Sequence, residues 1–358
     1  MSKHRGFTGP AAAPRVADYH SGGSGVAPHR PAAVANQPTS ATRSILIVQI
    51  SVLIPTYNDA PRLAQTLAPL LGDDATLEVV VVVDGSRDGS YELLQALAAN
   101  DPRLRPFLIE NRGRPGARQF ALEQARSEVV LMMDSDVVAE PGLVSGHARW
   151  HADGTPRLVV GYMPPVLPRR RRGSFVHELY AHHYEQACEA YEEDPENVFR
   201  RLWGGNVSVP AAALRAVGGC DAGVGVAYTD DLEMGLRLAD QGLTPVFDRG
   251  LRAAHHFARS VPGFFKTARE QGRDLVLIEQ LYPGHSAFPD YREDNLGGAL
   301  RRFALRPRAR LALSAVGNGL LACLGHLRLW DWELKVGAFL ERVELQRGIR
   351  EQGAITAR

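Results

Sequence analysis

The chain has 358 residues, 45% hydrophobic and 23% charged, with a formal net charge of +1 at pH 7. This is the composition of a soluble globular protein, long enough for two domains or one large α/β unit. The even charge balance gives no support for nucleic acid as a partner, since such proteins carry a basic face or stripe. Only Lys3, Lys266 and Lys335 among 41 basic residues are lysines, which reads as genome composition before chemistry. Cys188, Cys220 and Cys323 are odd in number and widely spaced. They fit neither a zinc pattern nor a disulfide framework and point to a reducing, cytoplasmic compartment.

Residues 1–43 are rich in Pro, Ala, Gly, Ser and His without hydrophobic periodicity, which predicts a disordered tail. No signal peptide is evident, because no apolar stretch follows the charged start. Residues 45–54 are an apolar, β-branched run that predicts a buried strand. Asp59 followed by Pro61 predicts an N-cap and a helix to about residue 71. Strands are expected at 77–83, 104–109 and 128–133, with helices at 91–99 and 115–126 and another opening at Pro141. This alternation predicts a parallel sheet with helices on both faces, and a ligand crevice at the carboxyl ends of the strands.

The polar residues after each strand fall there: Thr56-Tyr57-Asn58, Asp84, Asn111, and Asp134 with Asp136. Carboxylates on neighbouring strand ends suggest a phosphate-bearing ligand bridged by a divalent metal. After residue 151 the pattern changes. Strands are expected at 157–162, 207–209 and 244–247, and helices at 174–193, 211–217 and 231–241. Beyond residue 261 the chain reads as helical to about 350. Arg169–Arg172 is a basic run in a Pro-rich loop, read first as solvated and second as an anion or membrane contact.

Five ordered stretches carry a resemblance: SVLIPTYN at 51–58, VVVVDGSRDGS at 80–90, NRGRPGARQFAL at 111–122, MMDSDV at 132–137 and TDDLEMGLRL at 229–238. With these the chain resembles glycosyltransferase family 2, the inverting GT-A-fold sugar transferases, over about residues 45–260. The resemblance implies a GT-A-type, Rossmann-like, mixed and mostly parallel sheet flanked by helices, with a helical C-terminal region.

It also implies site residues. Thr56, Tyr57 and Asp84 would hold the nucleotide base and ribose; a carboxylate can accept the imide N–H of uracil. Asp136 would bind Mn²⁺ or Mg²⁺ directly, and Asp134 would contact the ribose or reach the metal through water. His255 or His256 would be a third metal ligand; the spacing favours His255. Arg118 would pair with a phosphate or with an acid of the metal motif. Trp203, Gly205 and Asn206 would line the acceptor side. Asp231 would be the general base, with Asp230 beside it. Asp230 and Glu233 also have capping-box spacing, and Asp-Gly at 84–85 is also turn chemistry.

The expected function is non-processive, metal-dependent, inverting transfer of one sugar, hexosyltransferase-like, from a nucleotide-diphosphate sugar, UDP favoured. The acceptor would be a small molecule, a glycan or a lipid-linked hydroxyl. Processive relatives carry Gln-x-x-Arg-Trp after the base, whereas this chain has Glu270-Gln271-Gly272-Arg273-Asp274. Two rivals are a non-catalytic sugar-nucleotide-binding scaffold and a nucleotidyltransferase on a related sheet. The second would normally show a Gly-rich basic loop after the first strand, where Pro55-Thr56-Tyr57-Asn58 stands. The expected division is a tail at 1–43, a catalytic domain at 44–260 and a helical region at 261–358, the domain's donor half being 44–150 and its acceptor half 151–260. Residues 311–329 contain Asn318, His326 and Arg328 and read as a buried or interfacial helix, with peripheral membrane contact left open.

Overall fold

The structure, a computed structural model, describes residues 48–220, 223–226, 228–284 and 307–356, with side chains from 316 to 353 in the last stretch. The tail expected at 1–43, the start of the strand expected from 45, and residues 285–306 lie outside the described residues. The first half alternates strand and helix as its pattern implies. Strands β1 (Ile50–Thr56), β2 (Thr76–Asp84), β3 (Leu104–Ile109) and β4 (Val129–Met133) are interleaved with helices α1 (Ala60–Leu71), α2 (Ser90–Ala98) and α3 (Gly113–Gln124). Then come β5 (Val137–Ala139), α4 (Leu143–His151), β6 (Arg157–Tyr162), α5 (Phe175–Glu193) and α6 (Asn197–Arg200). They are followed by β7 (Asn206–Pro210), α7 (Ala211–Ala216), α8 (Asp230–Leu238) and β8 (Thr244–His255). Three C-terminal helices are α9 (Val261–Leu281), α10 (Pro307–His326) and α11 (Trp330–Thr356).

Eight strands form one sheet in the order β3-β2-β1-β4-β7-β6-β8-β5. The pairs β1–β2, β1–β4, β2–β3 and β6–β8 are parallel, while β4–β7, β6–β7 and β5–β8 are antiparallel. The sheet is therefore mixed and mostly parallel. Side chains alternate between its faces. Ile50, Val52 and Ile54 of β1, with Val79, Val81 and Val83 of β2, face Leu63, Leu67 and Leu70 of α1. Leu53, Val80 and Val82 face the opposite way, toward Ala117, Ala121 and Leu122 of α3. Burial on both faces explains the unbroken apolar runs.

Two features differ from the sequence reading. The three-residue strand β5 is too short to announce itself, and it exists because it pairs with the end of β8. The last strand does not stop at 247: its register with β6 jumps between Gly161↔Asp248 and Tyr162↔Arg252, so an irregularity lets the chain run on to His255.

Beneath the sheet's second half lies a buried polar set. His147 bonds Ser208 Oγ at 2.8 Å and Asn206 Oδ1 at 3.0 Å, and His151 bonds the same hydroxyl at 2.8 Å. The Asn206 amide donates to the Leu251 carbonyl at 3.0 Å. Burial pushes both histidines down to about 4, so they are neutral at pH 7. The C-terminal helices meet a separate cluster in which Phe175, Val176 and Leu179 of α5 pack on Phe257, Phe264, Leu321 and Leu340. Helices α9 and α11 cross at backbone contact, because a Cβ at Gly272 would stand on the Leu345 carbonyl and one at Gly348 on that of Arg269.

Replacing Gly272 by Val forces these helices apart, and overpacking of this kind costs about 1–3 kcal/mol. A thermal melt should show the variant several degrees below wild type, while Gly353→Ala, where nothing stands within 4 Å, melts unchanged. The buried histidines set an acid limit. Unfolded, they bind protons near 6.5; folded, near 4. Stability should thus be full above about pH 6.5 and fall as pH drops toward 4. Urea titrations at pH 7 and pH 5 should show this loss, with a shallower slope in His147→Gln.

Candidate active site

The loops after β1, β2 and β4 meet at the carboxyl edge of the sheet. Asn58 adopts φ 51°, and this turn brings its Oδ1 to the Arg87 N–H at 3.2 Å while its own N–H donates to Ser86 Oγ at 2.9 Å. Asp88 Oδ2 accepts the N–H of Ala60 at 3.0 Å. The β1 and β2 loops are thereby tied together, with Thr56, Tyr57 and Asp84 at the wall of a cleft of about 650 Å³. Tyr57 stands 59% exposed on its lip. Asp84 Oδ1 accepts the Arg112 N–H at 2.7 Å. The Thr56 hydroxyl is buried with no hydrogen-bond partner among the described residues.

Asp59 does not cap α1 with its side chain, as the Asp-x-Pro spacing suggests. Its Oδ2 accepts from Ser135 Oγ at 3.0 Å, and Thr66 Oγ1 donates to the Ser135 carbonyl at 2.7 Å. Helix α1 thus braces the Asp134-Ser135-Asp136 turn from outside the motif. Burial raises the Asp59 carboxyl, against the lowering effect of Ser135 and Arg62.

The two acids of that turn have different partners. Asp136 Oδ2 lies 3.4 Å from His255 Nε2, and the His256 N–H donates to the Asp136 carbonyl at 2.8 Å. Pairing of Val137 with His255 across β5–β8 sets this geometry. Strand alternation turns Ala253, His255 and Phe257 inward, so His255 and not His256 reaches the cleft. Burial opposes ionisation of Asp136, but the hydrogen bond and charge of His255 hold its carboxyl below the usual range. Asp134 Oδ1 instead accepts from Arg118 Nη2 at 2.6 Å.

Arg118, on α3, is 1% exposed. Its guanidinium also meets Asp231, at the start of α8, and the Gly204 carbonyl at 3.1 Å. Arg114, one turn earlier, pairs with Asp230 and lies 3.7 Å from Asp231. Two guanidiniums thus face three carboxylates at the cleft wall, where Arg114, Asp134 and Asp231 line it. Stripping one partner from such a buried cluster costs about 3–5 kcal/mol. Burial raises both acids of α8. For Asp231 the charges of Arg118 and Arg114 more than offset it, holding the carboxyl below its ordinary value. Asp230 stays raised, because the charge of Asp231 adds to its burial. The capping box is not formed: Thr229 is the N-cap, and Glu233 instead pairs with Arg237 at 2.8 Å and accepts from Tyr282 OH at 2.6 Å.

Trp203 lines the cleft, edge-on to Tyr180 and Tyr184 with ring centroids 5.2 and 5.1 Å away. The two glycines after it are required by proximity. A Cβ at Gly204 would clash with Asp231 and Arg118, and one at Gly205 would come within 2.8 Å of Met163 Sδ and 3.0 Å of Asp134 Oδ2. Asn206, expected on the acceptor side, is not in the cleft. It is fully buried in the His147 set, because alternation along β7 turns it under the sheet. Asp274, in the stretch standing where processive relatives have their motif, accepts the N–H groups of Tyr228 and Thr229 at 2.8 and 3.2 Å and so anchors the approach to α8.

Among the described residues no three His, Cys, Asp or Glu side chains converge closely enough to hold a metal by themselves. The pair Asp136 and His255 does suit a divalent cation. His255 Nδ1 lies 3.3 Å from Tyr180 OH, a phenol that burial keeps protonated. If that contact carries the Nδ1 proton, the Nε2 lone pair is free beside the Asp136 carboxylate. Open space in the cleft leaves room for phosphate and water oxygens.

Two family models match the chain: Glycosyl transferase family 2 over residues 51–200 and Glycosyl transferase family group 2 over residues 129–273. An uncharacterized glycosyltransferase of Bacillus subtilis, YfnE, is 32% identical over 158 residues, covering 43% of this chain and 39% of that protein. Validoxylamine A glucosyltransferase of Streptomyces hygroscopicus is 29% identical over 239 residues, covering 58% of this chain and 56% of its own length. The chain therefore spans well under two thirds of either relative. Among solved structures, the Pyrobaculum calidifontis mannosyltransferase PcManGT, in complex with GDP-Man and Mn²⁺, superposes with a TM-score of 0.52 at 21% identity, covering 84% of this chain and 86% of that one. That likeness extends the fold across most of the chain. The two matching models, the ordered motifs and the mixed sheet agree that the chain belongs to glycosyltransferase family 2.

Proposed function

We propose that this protein is an inverting, non-processive glycosyltransferase that moves one sugar from a nucleotide-diphosphate sugar to an acceptor hydroxyl. The observation that carries this reading is a single cleft lined by the Asp136–His255 pair and by Asp231, a carboxylate that two arginines keep ionised. Of the described residues, those within 44–150 belong to the donor half and those within 151–260 to the acceptor half, followed by the C-terminal helices α9, α10 and α11.

The base and ribose bind at Thr56, Tyr57 and Asp84. Asp84 Oδ1 is taken by a backbone N–H, which leaves Oδ2 to accept an imide N–H. UDP is the favoured donor nucleotide; guanine also offers a ring N–H, and PcManGT was solved with GDP-Man. Asp136 and His255 hold Mn²⁺ or Mg²⁺, with Asp134 at the ribose or reaching the cation through water; the cation supplies charge neutralisation for the diphosphate. Arg259 has no carboxylate partner among the described residues, donates to Thr267 Oγ1 at 2.6 Å and faces the same anionic group. Asp231 accepts the acceptor's hydroxyl proton as the oxygen attacks the anomeric carbon opposite the diphosphate. Its lowered pKa makes it a weak base, suited to proton transfer late in the step. Trp203 offers an aromatic wall for the acceptor.

Three free cysteines, one exposed, fit a cytoplasmic setting. Among the described residues no helix is long and apolar enough to cross a membrane. Leu327 and Trp332 are nevertheless exposed at the α10–α11 corner, and Val316 and Leu320 are exposed along α10. The Arg169–Arg172 loop reaches that corner through Arg170–Asp331 at 3.6 Å and the Gly173 N–H on Glu333 at 2.9 Å. Apolar side chains beside four arginines suit peripheral contact with an anionic bilayer.

Asp231→Asn should lower transfer about 10²–10⁴-fold while retaining the thermal shift given by UDP or GDP with Mn²⁺. Asp136→Ala should lose the metal-dependent part of that shift. Full transfer by Asp231→Asn would sink the enzymatic reading and favour a sugar-nucleotide-binding scaffold. The protein should float with vesicles containing phosphatidylserine and not with purely zwitterionic ones, and Trp332→Glu should abolish flotation.

A further inference from the structure

The cleft continues past Trp203 into a lobe that none of the residues above explains. It is formed by α5 and α6 and lined by His183, Gln186, Arg200, Arg201 and Leu232, with Asp231 at its inner end. Among the described residues that line the cleft, Asp59, Asp84, Asp134 and Asp136 stand at or just after the strand ends and Asp231 at the start of α8. His183 Nδ1 lies 3.5 Å from Glu341. Arg200 reaches Asp194 only at 3.6 Å, with both side chains about half exposed (45% and 50%), a weak surface contact.

Arg201 is the informative residue. Its backbone carbonyl accepts the Tyr191 hydroxyl, which fixes this stretch against α5. Its Nε is buried, yet it has no hydrogen-bond partner and the side chain has no carboxylate partner among the described residues. A charged donor withdrawn from water without a partner is costly, and such groups call for an explanation. Of the five orphaned buried polar side-chain atoms among the described residues, three, Arg201 Nε, Thr56 Oγ1 and Thr229 Oγ1, belong to residues lining this cleft; Arg118 Nε and His177 Nδ1 do not.

We infer that the acceptor carries an anionic group, a phosphate monoester or a carboxylate, which Arg201 receives with Arg200 while Asp231 faces the acceptor hydroxyl. The inference rests on the transferase reading above and names the acceptor class for that site. A planar guanidinium matches both oxyanions through paired N–H donors. Arg201 is then an acceptor-specificity residue. It touches neither the metal pair nor the base pocket.

The test uses the full chain with Mg²⁺ and saturating nucleoside diphosphate, so that the donor phosphate subsite is filled. Inorganic phosphate, acetate and glucose are titrated by calorimetry. Phosphate or acetate should bind at least about tenfold more tightly than glucose, as a charge-assisted pair implies. Arg201→Gln should remove that preference, and Arg201→Lys should keep part of it. The thermal shift given by the nucleotide should be the same in all three proteins. Preference for phosphate identifies a phosphorylated acceptor; preference for acetate identifies a carboxylated one. Anions bound no more tightly than glucose, or bound equally well by Arg201→Gln, would overturn the inference. Should Arg201→Gln not fold, Arg201→Lys and Arg200→Gln decide it by the same criterion. If no nucleotide shifts the melt, the donor reading fails by itself, and the anion titration without nucleotide still decides the acceptor class.

Discussion

The buried guanidinium of Arg118 joins parts of the chain that are far apart in sequence. It meets Asp134 at the end of β4, Asp231 at the start of α8 and the carbonyl of Gly204 between them. Burying a charge is tolerable only when it is paired and hydrogen-bonded. Here the pairing fixes the position of α8 against the sheet, and so fixes the Asp231 carboxylate that lines the cleft. The same contact decides the protonation of that carboxylate. Arg118 and Arg114 hold Asp231 ionised, while its neighbour Asp230 is raised by burial and by Asp231 itself. Two adjacent acids of identical type thus acquire opposite shifts from their surroundings.

This constraint explains the two glycines after Trp203. The backbone must pass so close to Asp134, Asp231 and Arg118 that no Cβ fits. It also separates the two acids of the Asp-Ser-Asp turn. Asp134 belongs to the arginine network, and Asp136 turns to His255. The turn itself is held from behind by Asp59 and Thr66 of the α1 region, whose hydrogen bonds to the turn both go to Ser135. The middle residue of the motif is therefore as fully engaged as the acids that flank it.

Charge is distributed unevenly along the cleft. Acids dominate at the strand ends, where a cation and a nucleotide would sit. Beyond Trp203 the lining residues include Arg200 and Arg201. Helix α9 supports both ends: Gln271 lines the cleft, and Asp274 holds the backbone leading into α8. The close crossing of α9 and α11 at Gly272 and Gly348 makes the C-terminal helices part of that support.

The sequence by itself determined the parallel half of the sheet, since β-branched runs buried on both faces leave an unbroken apolar signature that no other element shares. It determined the order of the polar loops, and so placed Thr56, Asp84, Asp134, Asp136 and Asp231 near one edge. Only the tertiary structure decided what each of them touches. Asp59 stands at the N-cap of α1 as local spacing reads it, yet its carboxylate bonds Ser135; Asp230 and Glu233, read as a capping box, and Asn206, read as a cleft residue, likewise bond groups remote in sequence. The spacing leaned to His255 over His256; pairing with β5, a three-residue strand that exists only because β8 runs past its irregularity to meet it, sets His255 beside Asp136 in the cleft. Arg114 and Arg201 carried no signal at all among so many arginines. Periodicity reports which face of an element is buried; the partner of a buried charge is set by which elements cross above it, and that is information no local window contains.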